Sequence, residues 1–168
     1  LEARLAGCWP PVLPALKDRL QCLNTVIGKM SGVVADEVQI AQQGLARIAG
    51  AAGRCFLVEA FNRILISRVP WPDFRRGLAV FEEKDDLLPF EEAKLYGHNA
   101  THALLGYLAR ERGLAYLADI RGQPDLLELG RQAFLEESGR ALCALRRGVD
   151  PLFTESGFRE YADDLLKR

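Results

Sequence analysis

The sequence predicts an all-α chain, and three observations carry that expectation. Apolar residues recur three and four positions apart over most of its length. No alternating apolar–polar run is long enough to define a sheet. Prolines and glycines fall between the periodic stretches, where helices start and stop. The 168 residues suit one helical domain spanning 1–168.

Taken in order, "PALKDRLQCLNTVIGKM" repeats Leu16, Leu20, Leu23, Ile27 and Met30 at helical spacing. "ADEVQIAQQGLARIAG" places Val38, Leu45 and Ile48 on one side, with Asp36 and Glu37 suited to its N-terminus. "RCFLVEAFNRILISRV" is richer in apolar residues; its length favours a buried helix over a strand, and Pro70 and Pro72 end it. "VPWPDFRRGLAVFEEKDDLLPF" reads as a loop with a short helix or strand. Pro89 opens the next helix, Glu91 and Glu92 complement its dipole, and Gly113 ends it. A short helix, "LAYLADIRG", follows. Pro124 starts "PDLLELGRQAFLEESGRALCALRRG", closed by Arg146, Arg147 and Gly148. "ESGFREYADDLLKR" is the last helix.

Composition narrows the function. The 22 basic and 23 acidic residues nearly cancel, so no nucleic-acid partner is expected. No apolar run approaches the roughly 18 residues of a membrane span, and "LEARLAGCWPPVLPALKDRL" lacks the basic leader and apolar block of a signal peptide. Cys8, Cys22, Cys55 and Cys143 form no CxxC pair and read as reduced thiols of a cytoplasmic protein. Closely spaced Cys or His ligands are absent, so no metal site is expected. Nor does any G-x-G-x-x-G follow a strand, so no cofactor-binding residues are expected within this chain.

One stretch carries chemistry. "PFEEAKLYGHNATHALLGYLA" holds Lys94, His98, Asn99 and His102. With Lys94 at zero on a regular helical wheel, His98 falls at about 40°, His102 at about 80° and Asn99 at about 140°. The four share one arc, and the scattered apolar residues around them predict a helix buried on more than one side. A polar arc on such a helix suggests a lined cavity or an interface. Oxidising an alcohol needs a base for the hydroxyl proton, a donor for the alkoxide and an acceptor for hydride. A lysine withdrawn from water can be the base, an asparagine amide the donor, and a histidine can orient a hydroxyl. Lys94 and His102 are roughly 12 Å apart along a regular helix, so either Gly97 loosens the turn or the two touch different carbons of an extended substrate, and the second is favoured.

These residues resemble the C-terminal helical domain of the polyol-specific long-chain dehydrogenases, the mannitol dehydrogenase and mannitol-1-phosphate 5-dehydrogenase family. That family's signature is K-x-x-x-x-N-x-x-H within P-Y/F-E-x-x-K-L-x-x-x-N-x-x-H-x-x-x-x-Y-L-G. Pro89, Phe90, Glu91, Lys94, Leu95, Asn99, His102, Tyr107 and Leu108 match it, and Ala109 replaces the final glycine. "LVEAF" and "GRQAFLEESGRAL" are weaker matches in the right order. The family's V-D-R-I stretch would fall at Ile27, Gly28, Lys29 and Met30, with glycine in place of the acid.

The resemblance implies a 6-phosphogluconate dehydrogenase C-terminal-domain-like fold and a zinc-independent dehydrogenase that interconverts a sugar alcohol, or its phosphate, and a ketose. Lys94 would be the general base, Asn99 the oxyanion donor and His102 the substrate-orienting group; His98 has no role in the motif. The cofactor, NAD or NADP, would be bound by a Rossmann domain that precedes this region in the family, and a C-terminal extension with basic sugar- or phosphate-contacting residues would follow it. The chain is therefore expected to be a piece of a longer enzyme, inactive alone, with the sugar held between the two domains. Two other readings stand beside it: a stand-alone sugar-binding module, and a helical protein-interaction module in which the arc is the interface. A helical domain parted from its partner would expose apolar surface and self-associate.

Overall fold

The computed structural model describes Gly7 and residues 20–29, 31–47, 53–59 and 63–167. The expectations for Cys8, Leu16, Met30, Ile48 and Phe61 lie outside these residues. The chain divides into two compact units, Leu1–Leu87 and Leu88–Arg168.

The first unit overturns the all-α expectation: the chain is mixed α and β. Strands β1 (Thr25–Val26), β2 (Ser31–Val34), β3 (Cys55–Val58), β4 (Ile64–Ser67) and β5 (Phe81–Lys84) form two sheets. In one, β4 lies between β1, which it pairs antiparallel, and β5, which it pairs parallel. In the other, β2 and β3 pair antiparallel, from Ser31 opposite Val58 to Val34 opposite Cys55. The two helices expected over 14–30 and 54–69 thus give way to strands in their described parts. The cause is visible in composition. Phe56, Val58, Ile64 and Ile66 are β-branched or aromatic and pack well on a pleated surface. Ile64, Leu65 and Ile66 are all buried, which is the continuous apolar run of a central strand rather than one stripe of a helix.

Helix α1 (Glu37–Gln42) is the shortened remnant of the helix expected over 35–50. Asp36 caps it by accepting from the Val38 N–H at 3.0 Å. Gly44, at φ +61°, ends it early. The Gly44 N–H reaches the Ala41 carbonyl and the Leu45 N–H the Ile40 carbonyl, a Schellman closure. Leu45 then packs on the small core of Val34, Ile40 and Cys55.

The second unit is helical among its described residues. A continuous rod runs through α2 (Leu88–Glu92), a π-helical segment (Ala93–Asn99) and α3 (Ala100–Glu111). Gly113, at φ +74°, closes it with a second Schellman pair, Gly113 N–H to Arg110 and Leu114 N–H to Ala109. A 3-10 turn (Leu117–Gly122) leads to α4 (Pro124–Gln132), a second π-helical segment (Ala133–Gly139) and α5 (Arg140–Leu145). A 3-10 turn (Pro151–Phe153) and α6 (Glu155–Lys167) complete it.

The two rods pack antiparallel. Glu92 accepts from Arg146 at 2.7 and 2.9 Å, Tyr96 from Ser138, Gly97 lies on Phe134, and Gly130 lies on Leu105. The first rod buries Ala93, Gly97, Thr101, Leu105 and Ala109, every fourth residue, and exposes Leu95, Tyr96, Ala103 and Tyr107. Phe90 and His98 are buried as well, so burial is not confined to that series. On the second rod the buried series Leu126, Gly130, Phe134, Gly139 stretches from steps of four to one of five across the π segment. Phe134 and Phe158 of α6 are fully buried and meet at 5.6 Å, at the centre of this unit.

Candidate functional site

Lys94, His98 and Asn99 lie in the first π segment and His102 one turn into α3. A π turn closes i→i+5 hydrogen bonds; the Ala100 N–H reaches the Leu95 carbonyl in this way. Such a turn holds more than 3.6 residues, so each advances less than 100°. Asn99 swings back from its place on a regular wheel towards Lys94, and His102, three residues on, stays in the same arc. A wider turn also climbs less per residue, so the axial gap from Lys94 to His102 shrinks below the roughly 12 Å of a regular helix.

Local sequence explains why the two rods come close here. Gly97 is buried, and a Cβ at that position would stand 3.2 Å from Cε2 and Cζ of Phe134. The missing side chain lets the two rods approach at their π segments. The Ser138 hydroxyl, from the facing segment, donates to the Tyr96 carbonyl at 2.6 Å. A widened turn leaves its carbonyls with accepting capacity, and Ser138 uses it.

Of the expected site residues, Lys94 and His102 are half-buried and Asn99 is exposed. His98 is the buried one, at 5% exposure. Its ring meets that of His102 edge-to-face at 4.6 Å and 69°, and lies 6.2 Å from the Tyr161 ring of α6. Tyr161 in turn stands edge-on to Phe134 at 5.3 Å. A file of rings therefore runs from the core to His102. Spacing alone does not reveal this role of His98; the signal available was a second histidine four residues before His102, the distance at which helical side chains meet.

A groove in the same unit is lined by Thr154, Glu155, Ser156, Arg159, Glu160 and Asp163, and includes none of the arc residues. Among the described residues no cluster of His, Cys, Asp or Glu could hold a metal ion, and no helix is long and apolar enough to cross a membrane. The described residues do not fit a nicotinamide dinucleotide either. Such a cofactor needs a parallel strand running through a glycine-rich turn into a helix N-terminus. The one parallel pairing described, β4 with β5, is joined through residues 68–80, which contain no helix.

Set beside models of known protein families and beside curated proteins, the chain finds a match in neither.

Proposed function

We propose that the helical unit is the substrate-binding and proton-transfer part of a zinc-independent polyol or polyol-phosphate dehydrogenase, working in the cytoplasm. The observation that supports this reading is the π turn itself, on which Lys94 and Asn99 both lie, with His102 three residues further along the same rod. π turns inside α-helices occur frequently at functional sites. Lys94 accepts the proton of the substrate hydroxyl on its amine nitrogen. The Asn99 amide donates to the alkoxide oxygen left behind, and does so without titrating. His102 holds a neighbouring hydroxyl and fixes which carbon faces Lys94. A linear polyol suits the arc because its hydroxyls recur along an extended chain. The hydride acceptor is NAD or NADP, held by residues other than those described.

Turnover of mannitol and mannitol-1-phosphate by the full-length protein, with NAD and NADP, tests the reading. Lys94→Ala is expected to lower kcat by about 100-fold or more, the usual contribution of a positioned general base, and near-normal turnover removes Lys94 from that role. A second reading has its own observation. Leu95, Tyr96 and Tyr107 are exposed on the rod that carries the arc, as a protein-interaction face would require. Gel filtration separates the two: an assembly that disperses on Asn99→Asp, with no polyol binding in the wild type, favours the interaction module.

A further inference from the structure

His98 is the buried imidazole that the proposed reaction does not use. It lies on the same segment as Lys94 and Asn99, at 5% exposure, and its ring stands edge-to-face with His102 at 4.6 Å. Its imidazole is a flat ring enclosed by the protein. Gly97, its neighbour in sequence, sits against the fully buried Phe134. Tyr161 lies 6.2 Å away and itself stands edge-on to Phe134. His102, by contrast, is half-buried. A partly exposed imidazole rotates about χ2 in a broad well unless a neighbour restricts it.

We infer that His98 is a positioning residue: its ring, anchored through Tyr161 and Phe134, fixes the orientation of the His102 imidazole that meets the substrate hydroxyl. This rests on the polyol reading for its consequence in binding, though the contact between the rings does not. Edge-to-face packing supplies the restraint, because it has a preferred geometry rather than mere bulk. A buried side chain of equal volume without a flat ring does not reproduce it.

The test compares wild type, His98→Phe and His98→Leu in the full-length protein. Both replacements are apolar and fill the buried site, which guards the fold. NMR relaxation at the His102 ring carbons reads its mobility, and titration with mannitol reads affinity. Wild type and His98→Phe are expected to show an order parameter above about 0.8, and His98→Leu one below about 0.6. Mannitol affinity is expected to fall roughly tenfold in His98→Leu alone, since orientation governs the hydrogen bond. A His102 ring equally rigid in His98→Leu overturns the inference. A ring loosened in His98→Leu, in a protein whose wild type ignores mannitol, supports the positioning role and removes the polyol reading instead.

Discussion

Gly97 decides how near the two π segments can come. A methyl group there would stand 3.2 Å from two carbons of the Phe134 ring, which is fully buried and has little room to retreat. Gly97→Ala is therefore expected to lower stability by about 1–3 kcal/mol, the usual cost of overfilling a packed site. Thermal denaturation reads that loss, and polyol affinity should fall with it because the arc depends on the same turn. At this scale Lys94, Asn99 and His102 were legible as letters at helical spacing. His98 was not, because its role comes from Tyr161 and Phe134, 63 and 36 residues further along the chain by their numbers, and spacing within one helix cannot supply them.

In the second unit, prolines and glycines mark helix starts and stops close to where the sequence indicates. Gly113 and Gly148 take positive φ, Pro89 and Pro124 sit in first turns, and Gly44 stops α1 sooner than its periodicity implies. The π segments were not legible, since a period of 3.6 is assumed in reading a wheel and a single wide turn shifts the arc without changing the letters. Ser138→Ala tests how much the facing segment supports the turn. Loss of its bond to the Tyr96 carbonyl is expected to cost about 0.5–1.5 kcal/mol in denaturant titration. The strands were misread for a different reason. A buried strand such as Ile64–Ser67 has no alternation to reveal it, and length favoured a helix only because β3 and β4 were counted as one run.

Ion pairs within each unit contribute to the response of the protein to acid. The Arg131 guanidinium hydrogen-bonds Asp163 and holds its carboxyl below the usual range, and Arg112 does the same for Asp125. For Glu82, burial pushes upward most strongly, but the bonds from Lys84 and Arg63 together outweigh it and the net shift is downward. A carboxyl depressed in the folded state stabilises above its unfolded pKa, about 4, and that stability drains away as pH falls through the lower folded value. Acid unfolding should accordingly steepen below about pH 4. Asp163→Asn is expected to flatten that fall and to cost at most about 1 kcal/mol at pH 7, since the pair is a third exposed. Circular dichroism across pH 2–7 checks both, and an unchanged acid profile in the variant counts against the pair.

The central claim is that one widened helical turn brings Lys94, Asn99 and His102 to a single sugar chain. A crystal structure of the full-length protein soaked with mannitol addresses it most directly. The account requires one mannitol with oxygens at about 2.6–3.2 Å from Lys94 Nζ, the Asn99 amide and a His102 ring nitrogen. Mannitol seated elsewhere, or the three groups engaged by separate neighbours with no shared ligand, contradicts it.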